Sequence, residues 1–218
     1  MKTIRFVDGD GALPVGKILC LGRNYAGHAQ EMKAEIPSTP VVFIKPSTAL
    51  LEPGGLIRIP PVSRDLHHEV EMVVVIGDGG RDIGRDEAME HVAGYAVGLD
   101  MTLRDLQAEA KKSGLPWSVA KGFDTSAPVS AAVRRSAVAD PHALAISLRV
   151  NGAVRQSSNT RHMFFKIPDI IAYLSTVFTL EAGDLIYTGT PEGVGPVAAG
   201  DTLTAELESV GTLTVGVQ

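Results

Sequence analysis

Proline recurs at positions 37, 40, 46, 53, 60 and 61. Proline fixes φ and removes a backbone donor, so no long helix survives that spacing. Short β-branched runs joined by turns do survive it, and with 23 glycines they extend along the whole chain. Residues 3–7, 17–22, 41–45 and 56–59 read as strands. Residues 68–76 form the strongest strand and stop at Gly77-Asp78-Gly79-Gly80. An apolar run follows over 92–101. Asn151-Gly152 marks a hairpin between 145–150 and 153–156, and 184–188, 202–208 and 213–217 complete the strands. Helical patterns occupy 23–34, 85–91, 102–112 and 167–178. Thr102 with Asp105 fits a capping box, and Gly114 and Pro116 stop that helix. Strands and helices do not alternate strictly. That predicts an α+β fold with a mixed or antiparallel sheet and argues against a Rossmann or barrel layout. A chain of 218 residues without a dividing linker fits one domain.

Composition narrows the function. An apolar fraction of 44% with 21% charged residues excludes a disordered chain. With 20 basic and 25 acidic residues the formal charge is −5, which disfavours nucleic acid and anionic membranes as partners. No apolar run approaches the ~20 residues of a bilayer span. Cys20 is the only cysteine, so neither an internal disulfide nor a cysteine-rich metal site can form. Residues 1–9 lack a basic-then-apolar signal pattern, and a reducing cytoplasmic setting is expected.

Glu69-Val70-Glu71 is the first sign of chemistry. On a strand, residues two apart share a face, so both carboxylates stand together where a buried Val-rich run begins. They either sit at a solvated strand end or share a divalent cation. Asp100 closes the next apolar run, and it either joins them or complements the dipole of the following helix. Three carboxylates without cysteine favour Mg²⁺, Mn²⁺ or Ca²⁺ over Zn²⁺. His28 and Glu31 are i, i+3 neighbours if their segment is helical. They form either a carboxylate-oriented base or an ordinary surface pair. Arg104 and Gln107 share the same spacing. Lys121 lies in an apolar stretch and needs carboxylates or an anionic substrate for company. The 188–196 loop is rich in glycine and proline. It either offers backbone N–H groups to a carboxylate or makes a tight turn.

These pieces in this order resemble the fumarylacetoacetate hydrolase family. The residues that carry the likeness are Gly22-Arg23-Asn24-Tyr25 with His28 and Glu31, Phe43-Ile44-Lys45-Pro46, His67-His68-Glu69-Val70-Glu71, Leu99-Asp100 through Gln107, Leu115-Pro116-Trp117, Ala120-Lys121, and Thr188-Gly189-Thr190-Pro191-Glu192-Gly193. The likeness is closest to the short single-domain members, the acylpyruvases and oxaloacetate decarboxylases. It departs from their pattern at Gly122 and Ala127. The resemblance implies a mixed β-sandwich roll with a few short helices, spanning residues 1–218 as one catalytic domain and usually assembled as a homodimer. It implies that Glu69, Glu71 and Asp100 hold Mg²⁺ or Mn²⁺, and that Arg23, Arg104, Gln107 and Thr190 bind substrate beside Lys121. His28 and Glu31 would act as a dyad on a lid of about residues 23–36. His67 and His68 fall outside that site. The implied activity is metal-dependent hydrolysis of a C–C bond in acylpyruvates such as fumarylpyruvate or acetylpyruvate, releasing pyruvate. Bond cleavage would leave an enolate whose charge the dication and Lys121 offset. Loss of CO₂ from oxaloacetate gives the same enolate, so oxaloacetate decarboxylation and tautomerisation of oxaloacetate or a 2-hydroxydienoate are the alternatives. A non-catalytic 2-oxo-acid binder is the reading of a different class, and the complete residue set speaks against it.

Overall fold

The computed structural model describes residues 2–9, 11–31 and 37–218. Two sheets carry the fold. The first runs Val133–Arg134, Val92–Leu99, Val70–Ile76, Leu185–Tyr187, Lys17–Gly22, Val41–Pro46. Its pairings are antiparallel except that of Leu185–Tyr187 with Lys17–Gly22. The second runs Ala153–Asn159, Ala145–Val150, Thr202–Leu207, Gly211–Val217, Leu56–Ile57, with only the last pair parallel. Among the described residues the helices are few and short, which is the α+β roll of mixed sheets that the sequence implied.

Period-two alternation explains the layering. Val70, Met72, Val74 and Ile76 project into the main core, where they meet Ile146, Leu148, Leu203, Ala205, Leu213 and Val215 from the second sheet. Val73 and Val75 face the opposite way, onto Ile18, Cys20, Leu185 and Tyr187. The Val70–Ile76 strand is therefore buried on both faces, which the apolar run Met72–Ile76 requires. Each such side chain contributes roughly 1.5–3 kcal/mol on burial. Ile167–Val177 lays Ile167, Ile170, Ile171 and Leu174 on the main core. Asn151 and Gly152 both have positive φ, at 51° and 82°, and close the expected hairpin.

Three expectations need correction. Residues 68–76 do not form one strand. Leu66–His68 pairs with Thr102–Leu103 and Gly195–Val197, whereas Val70–Ile76 belongs to the six-stranded sheet, so the chain changes sheets at Glu69. The second helix is Arg104–Ser113, and Thr102 lies on a short strand before it. The capping box is absent: Asp105 accepts instead from Ser63 Oγ and the Arg64 N–H, at 2.6 and 3.0 Å. Gly114 at φ 64° does end the helix. The first helix starts at Ala26 rather than at residue 23, because Arg23 adopts a left-handed φ of 60°, and it is described as far as Glu31. Residues 32–36 of that helix and of the expected lid lie outside the described residues.

Candidate active site

The acids converge where the first sheet ends. Glu71 points to the same side as Val73, directly across from Gly98. A Cβ at Gly98 would stand 2.7 Å from the Tyr187 ring and from Val73, so only glycine admits this close packing beside the carboxylate. Glu69 enters from the sheet-switching corner, and Asp100 follows the last residue of the Val92–Leu99 strand. One oxygen from each of the three lies within 4.8 Å of the others, and all three residues are buried.

Cations meet two of these acids. Lys121 Nζ donates to Glu69 Oε2 at 2.8 Å, Asp100 Oδ2 at 2.5 Å and Thr102 Oγ1 at 2.6 Å. Arg104 Nη2 donates to Glu69 Oε1 at 2.5 Å, and Nη1 to Gln107 Oε1 at 2.7 Å. Lys45 Nζ stands 2.8 Å from Asp100 Oδ1. It also stands within hydrogen-bond distance of the carbonyls of Met101, Lys121 and Ser126 and of Ser126 Oγ, and Asp100 Oδ1 itself accepts no aligned hydrogen bond. No cation among the described residues pairs with Glu71. It accepts only the Gly189 N–H, at 2.7 Å, from a glycine held at φ 95°.

The titration behaviour follows this asymmetry. Burial pushes the Glu69 carboxyl up, but the charges of Lys121 and Arg104 override it and hold the group well below the usual carboxylate range. Burial, then the charges of Asp100 and Glu69, push Glu71 far above that range. Burial works against the Lys121 ammonium, but Asp100 and Glu69 outweigh it and raise its pKa. A buried carboxylate without a counter-charge, flanked by two more, fits a divalent cation. A donor set made only of oxygen fits a hard one. Glu69, Glu71 and Asp100 are therefore the residues that could hold Mg²⁺ or Mn²⁺.

Arg23, His28, Arg104, Gln107, Lys121 and Thr190 line a single cavity of about 340 Å³ together with the three acids. Glu31 backs His28 instead, with Oε2 3.4 Å from Nδ1. Both of its oxygens also accept the Gly193 N–H, at 3.2 Å. The 188–196 loop thus spends two backbone N–H groups on the protein's own carboxylates, Glu71 and Glu31. Asn24 anchors the opposite wall by bonding the Thr188 and Phe165 carbonyls and the Phe165 N–H. That anchor holds Arg23 at its strained φ of 60° in the cavity wall. His67 bonds Asp65 and His68 bonds Gln156; neither lines the cavity.

Sequence reasoning assigned no site role to several residues found here. Lys45 is fully buried on Asp100. It shares a strand face with Phe43, which lines the cavity, so the alternation of that strand carried a signal. Lys111 and Trp117 form the outer wall, with Lys111 Nζ 5.1 Å from the Trp117 ring centre. Partial burial, then the positive charges of Arg104, Arg23 and Lys121, hold Lys111 below the usual lysine range.

A mixed-sheet roll with an acid triad and a buried lysine defines the class, and the family is settled by comparison. The chain belongs to the fumarylacetoacetate hydrolase family, whose model for the fumarylacetoacetate (FAA) hydrolase C-terminal domain matches residues 17–218. It is 52% identical over 189 residues to oxaloacetate tautomerase FAHD1, mitochondrial, of Arabidopsis thaliana, covering 87% of this chain and 85% of that one. It is 49% identical over 201 residues to the Homo sapiens protein of the same name, covering 92% and 91%. A fumarylpyruvate hydrolase from Pseudomonas aeruginosa, solved with Mn²⁺ and pyruvate, superposes with a TM-score of 0.95 at 40% identity, covering 99% of this chain and 95% of that one.

Proposed function

We propose that this chain is a divalent-metal-dependent enzyme that interconverts the enol and keto forms of oxaloacetate by moving a proton between C3 and the oxygen at C2. The observation that carries this reading is the buried acid triad, with Lys121 bonded to Glu69 and Asp100 and Glu71 left without a cation, in a chain about half identical to oxaloacetate tautomerases. In this reading Glu69, Glu71 and Asp100 hold Mg²⁺ or Mn²⁺, which supplies a Lewis acid to the 2-oxo acid when bound. Arg104, Gln107, Arg23 and Thr190 bind and orient the substrate. The Lys121 ammonium offsets the charge that develops on the enolate oxygen. His28 shares its Nδ1 proton with Glu31, which leaves Nε2 as the nitrogen that takes and returns the C3 proton.

The charge balance supports a dianionic substrate. Lys45, Lys121 and Arg104 are engaged by Glu69 and Asp100, while Arg23 and Lys111 bring two further positive side chains to the cavity that pair with neither acid. The second reading is hydrolysis of an acylpyruvate, with the same dyad deprotonating water. The His28–Glu31 pair and the likeness to the fumarylpyruvate hydrolase favour it. We also propose that the chain acts in the cytoplasm as one catalytic domain with residues 23–36 as a lid, of which 32–36 lie outside the described residues. No helix among the described residues is long and apolar enough to cross a membrane. The exposed Ile44, Leu115 and Val119 offer an apolar face to a second copy in a homodimer.

The test follows oxaloacetate and fumarylpyruvate with Mg²⁺, reading enol absorbance and pyruvate release separately. Accelerated loss of enol absorbance from oxaloacetate without pyruvate supports the first reading, and pyruvate from fumarylpyruvate the second. Inertness toward both contradicts the proposal. His28→Ala is expected to slow tautomerisation or hydrolysis by about 100-fold, the range for a lost general base. Oxaloacetate decarboxylation needs no such base and should fall much less. Equal losses in all reactions would remove the dyad from its assigned role.

A further inference from the structure

Gln156 lies on the Ala153–Asn159 strand of the second sheet, 1% exposed and outside the cavity. All four hydrogen-bonding directions of its amide are taken. Oε1 accepts from the Val70 N–H at 3.0 Å and from His68 Nδ1 at 3.1 Å. Nε2 donates to the Pro191 carbonyl at 2.9 Å and to Thr190 Oγ1 at 2.8 Å. A backbone N–H can only donate and a backbone carbonyl can only accept, so Val70 and Pro191 fix which way round the amide sits. Turning it over would oppose donor to donor and acceptor to acceptor.

The consequence falls on Thr190. Its oxygen is the acceptor toward Gln156, so its own hydrogen must point elsewhere. No described residue takes that hydrogen, and Thr190 is a buried residue of the cavity wall. We propose that Gln156 is a positioning residue that makes the Thr190 hydroxyl an obligate hydrogen-bond donor to the carboxylate of the bound 2-oxo acid. The same amide clasps His68 and Val70, the two neighbours of Glu69, to the loop whose Gly189 N–H holds Glu71. One buried side chain thus sets the distance between the acids and the wall that grips the substrate. The inference rests on the reading that the cavity takes a 2-oxo acid.

Gln156→Glu tests it with almost no change of shape. A carboxylate has no hydrogen to give, so the Thr190 hydroxyl must donate to it and turns away from the cavity. The Mg²⁺-loaded protein is titrated calorimetrically with oxalate, and KM and kcat are measured with oxaloacetate. Oxalate Kd and oxaloacetate KM are expected to rise about tenfold, the range for a lost hydrogen bond to a charged group, with kcat changed far less. In a Thr190→Val background, where no hydroxyl remains to be turned, Gln156→Glu should weaken oxalate no further. Gln156→Met, which removes the donor without adding charge, enters the same cycle should the glutamate variant not fold. Unchanged oxalate affinity, or an equal loss with and without the Thr190 hydroxyl, overturns the proposal. Failure of the parent protein to bind oxalate with Mg²⁺ would instead overturn the 2-oxo-acid reading, and this inference with it.

Discussion

Glu71→Gln should abolish stoichiometric Mn²⁺ binding and lower enolate-forming turnover by about 100-fold or more, while the metal-free protein melts no lower than the parent. The two halves of this result pull in opposite directions for one reason. Glu71 is a buried carboxylate with a single N–H donor and no cation, facing two other acids. Burial and the two neighbouring acids disfavour its ionised form, and that costs stability in the metal-free protein. Glutamine keeps the shape and the Gly189 hydrogen bond but removes the ionisable carboxyl, and with it the ligand that completes the triad. A lost electrostatic stabiliser of a developing oxyanion costs about 10²–10³ in rate. Mn²⁺ titration, turnover with Mg²⁺ and metal-free melting curves check the prediction together. Full Mg²⁺-dependent activity would refute the metal assignment.

Lys121→Met should be the most damaging single substitution for the metal-free fold. Its ammonium bridges Glu69, Asp100 and Thr102 at 2% exposure. Removing one partner from a buried ion pair costs about 3–5 kcal/mol. For a chain of this size that lowers Tm by on the order of 10 °C. Saturating Mn²⁺ should recover more of this loss than the same Mn²⁺ adds to the parent, because a dication restores charge to Glu69 and Asp100. Tautomerisation, hydrolysis and decarboxylation should fall together, by about 10²–10³, since all three pass through an enolate that Lys121 faces. Calorimetric melting with and without Mn²⁺, beside the three rates, checks this. An unchanged Tm and unchanged rates would remove Lys121 from the site.

Local patterning explains what the sequence reveals of this fold. The Lys17–Gly22 strand, the Asn151-Gly152 hairpin and the Gly114 stop are each set by residues within one turn or one strand, so alternation and turn chemistry expose them. The capping box at Thr102 misleads because a tertiary demand wins: Lys121 needs the Thr102 hydroxyl, and Ser63 with Arg64 claims Asp105. The sheet change at Glu69 is hidden for a similar reason. Leu66–His68 is paired by strands 35 and 129 residues further along, which no local pattern announces. Motif order brings the triad, Lys121, Arg104 and His28 to one cavity. Gln156 stays silent in the sequence, because a polar residue on a hairpin strand reads as solvated and its partners arrive from distant segments. Lys45 lies between these cases, since its strand face was legible and its burial on Asp100 was not.

Diffraction at the manganese absorption edge from crystals grown with Mn²⁺ and oxalate tests the central claim most directly. One anomalous peak per chain is expected, bonded to oxygens of Glu69, Glu71 and Asp100, with oxalate between it and Thr190. A peak elsewhere, or none at saturating Mn²⁺, would contradict the account.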